Sequence, residues 1–406
     1  MRLWNQKWSV LVLSLVVGAG VLTGCGKENE ANTVAKAEAE ATSPILIGMS
    51  TEATGSNAET AENIYKGAQI AVDFVNEGGG INGRPVELVV RDTEENPTRG
   101  VSIVRDFGQK EKVLAALGGF NSTVMLAQSP IVKEEGFPFM ILTSNVPASV
   151  LNGLPWTFGV RMNAQITAKY ALGFIEKHFG TKKIAILHES GGYGKGAVDA
   201  MTKALDEAGA KPVATESFNL KDQDMTAQVA RAKEAGAEVI YLFGMGASNG
   251  YVLKAMEKAS WKVPVVGENG MVSKGILEVG GPLTDGTFAI QTANFNVDQT
   301  REPAKKFIEA FKTKFGGIPT TFASAAQGFD GAMILFDAIG KTELTGDLKK
   351  DRDALRETLE TDAGPYSGVI KDWDTVYTKD NHDAIDVNSY LMNMWKDGLL
   401  VPSDKQ

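Results

Sequence analysis

The residue types best suited to holding a small polar solute cluster in one stretch of the chain. An apolar run from Val113 to Leu117 stops at Gly118-Gly119 and is followed by the polar trio Asn121-Ser122-Thr123. A second apolar run, Phe137 to Leu142, stops at Thr143-Ser144-Asn145. Hydroxyls and carboxamides both donate and accept, so this set can grip a carboxylate or an amide. In an open parallel sheet the crevice outside the carboxyl ends of the strands is where ligands bind. Ser122 is also placed to cap the helix behind it, so its hydroxyl and the free N–H groups there can meet an anion. The same residues serve equally well as plain caps and turns, and the remainder of the chain has to decide.

Other chemistry finds little support. No nucleophile and base stand in an arrangement that implies catalysis. The three histidines, His178, His188 and His382, are scattered, with no pair at metal-ligand spacing, so neither a metal nor a cofactor is expected. His188 ends a strand beside Glu189, which leaves open a place in a cleft. Gly244-Met245-Gly246-Ala247-Ser248-Asn249-Gly250 follows a strand and opens a helix, but its third glycine is displaced from the dinucleotide-binding pattern. Gly192-Tyr193-Gly194-Lys195-Gly196 lacks phosphate-loop spacing. Asp92, Glu94 and Glu95 read as a solvated turn.

A chain of 406 residues is too long for one ordinary core, and two domains are expected. The formal charge of −9, without a basic run after the leader, argues against a nucleic-acid partner. Arg2 and Lys7 form a positive head, and Val10 to Leu22 is an uncharged apolar run, shorter than the roughly 20 residues that span a membrane. The run ends at Leu22-Thr23-Gly24-Cys25, which resembles the lipobox of bacterial lipoproteins. Residues 1–24 are therefore expected to be a cleaved signal and Cys25, the one cysteine, to carry lipid. The Ala- and Glu-rich segment that follows cannot bury enough surface to order itself, so residues 25–43 read as a lipidated tether, with a short helix as the alternative.

From Pro44 onward, β-rich runs alternate with amphipathic stretches of helical length. The runs are 45–49, 86–91, 113–117, 137–142, 183–188, 212–218, 239–243, 263–267 and 287–292; the helical stretches include 61–77, 164–179, 197–208 and 249–259. This alternation predicts an α/β fold with parallel sheets covered on both faces. Nine strands suit two doubly wound lobes. The irregular segment 150–163 separates two βα series, and the break at 280–286 precedes a strand, a long helical run (320–339) and a β-rich tail (387–395). These breaks place residues 44–162 plus about 286–365 in a first lobe and 163–285 plus about 366–406 in a second, joined by a multi-crossover hinge with a cleft between them.

The ordered set Thr54–Pro97, Gly118-Gly119-Phe120-Asn121-Ser122-Thr123, Phe137–Asn145, Lys183–Gly196 and Val265–Gly270 resembles the solute-binding proteins of bacterial branched-chain amino acid ABC transporters, which have the type I periplasmic-binding fold. The resemblance runs from about Ile45 to Asp397. It implies a Venus-flytrap mechanism, in which two lobes close on a solute and permease subunits in the membrane read the closed form. It also implies a ligand carboxylate at Ser122 and Thr123, contacts from Ser144 and Asn145, and Tyr193 closing from the second lobe. Three positions depart from the family pattern. Asn269 stands where amino-acid binders have a glutamate for the ligand ammonium, Met245 stands where they have a tyrosine, and Asn145 stands where the best-known amino-acid binder has a threonine. A buried ammonium without an anionic partner is costly, so neighbouring Glu268 is the leading replacement, ahead of Glu189 and Asp330. Otherwise the ligand is an organic acid, an amide or an aromatic acid near Phe120 and Tyr193. A lipid-anchored sensor feeding a membrane receptor remains a second reading of the same fold.

Overall fold

The computed structural model of the chain describes residues 43–146 and 152–403, so the leader, Cys25 and the tether lie outside the described residues. Among the described residues, fourteen short strands form two main sheets and a small hairpin. In the first sheet, β1 (Ile45–Thr51), β2 (Val86–Asp92), β3 (Ala115–Gly118), β4 (Phe139–Ile141) and β5 (Thr157–Gly159) run parallel in the order β2-β1-β3-β4-β5. The inner strands β3 and β4 are buried along their whole length, as expected for parallel strands covered on both faces.

The second sheet takes β6 (Ile184–Glu189), β7 (Ala214–Phe218), β8 (Val239–Phe243), β9 (Val265–Gly267) and β10 (Phe288–Gln291), all parallel. The hairpin β13 (Leu391–Lys396) and β14 (Leu399–Pro402) adds to it antiparallel, giving the order β14-β13-β10-β9-β8-β6-β7. Strands β11 (Tyr366–Ser367) and β12 (Asp372–Trp373) pair separately. The fold is therefore α/β, with two lobes built on mainly parallel sheets. Among the described residues no helix is long and apolar enough to cross a membrane.

Two lobe boundaries differ from the sequence expectation. Strand β10 pairs with β9, so the return to the first lobe begins after Gln291 and not near 286. Only 391–402 of the tail joins the second sheet, because the β11–β12 hairpin is tied instead to Asp330, whose carboxylate accepts from the N–H groups of Val369 and Ile370, both at 2.8 Å. Strand β5, in the segment read as an irregular boundary, also escapes prediction. Three residues between Gly and Pro signals are too short to show a period.

The first lobe is closed by helix Phe322–Lys341, which lies against helix Ala58–Glu77 through glycine. A Cβ on Gly67 would sit 2.2 Å from the carbonyl oxygen of Ala325, and one on Gly328 would sit 2.2 Å from that of Ile64. Only glycine permits backbones this close. The chain passes between the lobes after β5, after β10 and before β13. Arg161, at the first passage and 1% exposed, donates to the carbonyls of Ser144 and Val146 and pairs with Asp383 at 2.8 Å on the third. The passage that links the lobes thus also fixes the strand-end loop carrying the polar residues.

Candidate functional site

The carboxyl ends of both sheets face one cleft. A cavity of about 90 Å³ in it is lined by Asn57, Phe120, Asn121, Ser122, Thr123 and Thr143 from the first lobe and by Glu189, Tyr193, Leu220, Met245 and Asn269 from the second. A larger cavity of about 830 Å³ shares Asn57, Met245 and Asn269 with it.

On the first-lobe side the turn after β3 is dictated by glycine. Gly118 (φ 151°) and Gly119 (φ 71°) lie in left-handed space, and a Cβ on Gly118 would be 2.4 Å from the Ser50 carbonyl oxygen. Their carbonyls accept from Leu142 N at 2.9 Å and Ser144 N at 2.8 Å, which brings the two polar strand ends together. The helix cap differs from expectation. Asn121 and not Ser122 caps helix Ser122–Glu135, its Oδ1 accepting from Thr123 N and Val124 N, because its backbone is still extended at φ −73°, ψ 116°. Ser122 is the first helical residue, and its hydroxyl accepts from Ser144 Oγ at 3.2 Å.

On the second-lobe side, Glu189 ends β6 and turns back on the following helix, Gly192–Glu207. Its oxygens accept from Gly191 N at 2.5 Å and Gly194 N at 2.7 Å, so its charge meets the helix N-terminus. Tyr193 packs its ring 5.0 Å from that of Phe243, which lies 4.5 Å from Tyr241. Asn269 holds its Oδ1 against Gln291 Nε2 at 3.0 Å.

Glu268 is fully buried and lines neither cavity. Oε2 accepts from Asn145 Nδ2 at 3.4 Å, while Oε1 has no hydrogen-bond partner. Burial pushes its carboxyl up to about 8, against the pull of the Asn145 bond. The hydroxyls of Tyr193 and Tyr241 are held well above their usual range, first by burial and then by the nearby Glu268 charge.

Of the residues the sequence singled out, Ser122, Thr123, Tyr193, Met245 and Asn269 meet in the small cavity, with Glu189 and Phe120. Ser144, Asn145 and Glu268 do not line it. They are buried, Ser144 against Ser122 and Asn145 against Glu268 across the cleft. Asp330 is spent on the β11–β12 hairpin, and Tyr366 OH also donates to it at 3.1 Å. His188 turns Nδ1 to the Glu189 carbonyl at 2.8 Å.

Sequence reasoning missed Glu52. It lies 1% exposed beyond the end of β1, with Oε1 at 3.5 Å from Asn121 N and Oε2 unpartnered, and burial raises it to about 8. The strand-end rule that found Ser122 and Ser144 applies equally to β1 and would have found it. Leu220, in the loop after β7, carries no signal of that kind. Among the described residues no cluster suited to a metal occurs.

The lobes touch directly. Gly192 N donates to Thr123 Oγ1 at 2.9 Å and Lys274 N to Glu59 Oε2 at 3.0 Å, in addition to the Asn145–Glu268 bond. Two α/β lobes thus meet around a cavity of mixed polar and apolar lining, with strand ends from both sides in its walls.

Comparison with known proteins agrees. The profile described as periplasmic binding protein matches residues 44–398. The Leu/Ile/Val-binding protein homolog 1 of Brucella suis biovar 1 (strain 1330) is 30% identical over 359 residues, 87% of this chain and 91% of that protein. A periplasmic binding protein type 1 from Bordetella pertussis Tohama I superposes with a TM-score of 0.80 at 30% identity, covering 89% of this chain and all of the other. The isoleucine-bound LivJ of Streptococcus pneumoniae, at 20% identity and a TM-score of 0.74 over 88% of this chain and 97% of that one, shares the fold. The chain belongs to the periplasmic binding protein family, in its type I fold.

Proposed function

We propose that this chain is the solute-capturing component of an ABC importer, closing its two lobes on an L-amino acid of the branched, apolar kind and presenting the closed form to permease subunits. The observation that carries the reading is the interlobe cavity, lined by Ser122 and Thr123 from one lobe and by Asn269 from the other, with the buried acid Glu268, whose Oε1 is unpartnered, next to Asn269 behind that wall. The ligand carboxylate goes to Ser122 and Thr123, beside the first N–H groups of helix Ser122–Glu135. The ammonium goes to Glu268. Both Glu189 oxygens already hold backbone N–H groups, whereas Glu268 Oε1 is buried without a partner and gains one when a cation reaches it. The apolar side chain packs among Phe120, Leu220 and Met245.

Calorimetry with L-leucine, L-isoleucine and L-valine, against 4-methylpentanoate as the des-amino analogue, tests this. Saturable binding of an amino acid and at least tenfold weaker binding of the analogue support the reading, and equal binding of both removes the ammonium site. One observation favours a second reading. Of the neighbours Glu268 and Asn269, it is the neutral Asn269 that lines the cavity, which suits an organic acid or amide, and the analogue is its probe.

The export reading is carried by Leu22-Thr23-Gly24-Cys25. Cys25 anchors the mature chain to the cell envelope by lipid, and the tether holds the binding body away from the membrane. A Cys25→Ala chain is expected to leave the membrane fraction or to remain uncleaved, and identical partition of the two chains removes the anchor.

A further inference from the structure

The acidic turn Asp92-Thr93-Glu94-Glu95, read from sequence as solvated, is bound on one side to the loop that enters the cleft. Glu94 and Glu95 both have φ 55°, a left-handed conformation that residues with a Cβ rarely adopt, here twice in succession. The surroundings over-determine it. Asp92 Oδ1 accepts from Glu94 N at 2.9 Å, Arg99 pairs with Glu94 at 2.8 Å, and Thr93 N donates to the Thr51 carbonyl at 2.8 Å. The result is that the Glu95 carboxylate faces residues 55–57. Oε1 accepts from Asn57 N at 3.0 Å and Asn57 Nδ2 at 2.9 Å, and Oε2 accepts from Ser56 Oγ at 3.0 Å. Asp92 Oδ2 accepts from Thr54 Oγ1 at 2.8 Å. Gly55 (φ 126°) leaves the space, since a Cβ there would be 2.6 Å from Glu95 Cδ.

Asn57 stands at the N-terminus of helix Ala58–Glu77, where an asparagine usually caps with its side chain. Here it makes no such bond, because its amide nitrogen is turned to Glu95. It is 7% exposed and lines both the small and the large cavity. A carboxylate can only accept, so it selects the Nδ2 end of the carboxamide and leaves Oδ1 as the end available to a ligand donor. We propose that Glu95 is a positioning residue for solute capture: it fixes Asn57 so that the Asn57 Oδ1 serves as a hydrogen-bond acceptor for the ligand in the cleft.

The proposal rests on the amino-acid reading above for its ligand but not for its geometry, and the experiment separates the two. Affinities for L-leucine, L-isoleucine and L-valine are measured for the wild type, Glu95→Ala, Asn57→Ala and the double variant, alongside amide exchange in the ligand-free proteins. Each single change is expected to weaken binding about tenfold, and the double variant to bind no more weakly than Asn57→Ala, because Glu95 acts through Asn57. The Asn57 N–H, whose acceptor is Glu95, is expected to exchange at least tenfold faster in Glu95→Ala, while the interior of helix Ala58–Glu77 keeps its protection. Losses that add in the double variant, or undiminished binding in either single variant, overturn the proposal. Unchanged exchange at Asn57 in Glu95→Ala overturns it as well. If the wild type binds none of the three amino acids, the amino-acid reading fails on its own, and the exchange result alone decides whether Glu95 holds Asn57.

Discussion

Asn145 Nδ2 in the first lobe donates to Glu268 Oε2 in the second at 3.4 Å, a bond between residues 123 positions apart that ties a carboxamide to a fully buried acid. The bond is long, and the other carboxylate oxygen is unpartnered, so the acid is under-satisfied.

The first prediction is the pH dependence that follows. Glu268 is raised to about 8 by burial, so between pH 4.5 and 8 the folded chain holds a proton there that the unfolded chain has lost. Stability from this group is full below 4.5 and is lost as pH rises toward 8, by up to about 1.4 kcal/mol per pH unit. Melting temperature of the empty protein is expected to fall over that window, and Glu268→Gln is expected to flatten the slope. Part of the slope remains, because Glu52 and Asp330 are raised by burial to about 8 and about 7 and act with the same sign. An identical slope in Glu268→Gln would show that the acid is ionised in the folded state.

A second prediction concerns the same group with ligand present. A bound ammonium lowers the Glu268 pKa, so binding near pH 7 is expected to release up to one proton. Calorimetry in two buffers of different ionisation enthalpy reads this directly, and Glu268→Gln should abolish the difference between them.

The serine pair offers a third. Ser122→Ala removes the acceptor of Ser144 Oγ as well as the proposed ligand contact, and a lost partner at a buried hydroxyl costs about 1–3 kcal/mol. Affinity is expected to drop by about that amount, with the melting temperature falling far less than in a core truncation. Retained affinity would move the carboxylate site away from Ser122.

Closure is tested at Thr123, whose Oγ1 accepts from Gly192 N across the cleft at 2.9 Å. Small-angle scattering of the wild type is expected to show a smaller radius of gyration with ligand, with unchanged circular dichroism. Thr123→Val keeps the shape but loses the acceptor, so it should weaken binding by about 0.5–1.5 kcal/mol and leave more of the open form. A radius that does not respond to ligand in the wild type would point to a rigid pocket.

Gly67→Ala gives a fifth, in which two effects oppose each other. Glycine to alanine inside a helix ordinarily stabilises by about 1 kcal/mol. At this position the new Cβ would lie 2.2 Å from the Ala325 carbonyl oxygen, and backbone cannot step aside as a side chain can. The expected net change is a loss of about 1–3 kcal/mol, seen as a lower midpoint in urea.

Much of the fold was legible because its signals are local. Buried parallel strands are short apolar runs, helices show one apolar face, and their alternation leaves few architectures, so the runs at 45–49, 113–117 and 239–243 reappear as β1, β3 and β8. Position along a strand also showed which residues could meet, since strand ends in parallel sheets open on one side. That position marks Ser122 and Thr123, whereas Tyr193, Met245 and Asn269 follow only from the family resemblance; all five line the small cavity. Side-chain direction was not legible. Whether Asn121 or Ser122 caps the helix turns on one residue's backbone angles. Whether Glu268 or Asn269 faces the cavity depends on the pairing of β9 with its neighbours, and whether Glu95 meets water or Asn57 depends on two left-handed residues held by Asp92 and Arg99. The sequence alone determined the class of fold and the end of the sheets at which the polar residues gather, because both follow from the local pattern of apolar runs and the residues that end them. Tertiary structure decided which polar atoms are left without partners there, because that depends on contacts between residues far apart in the chain.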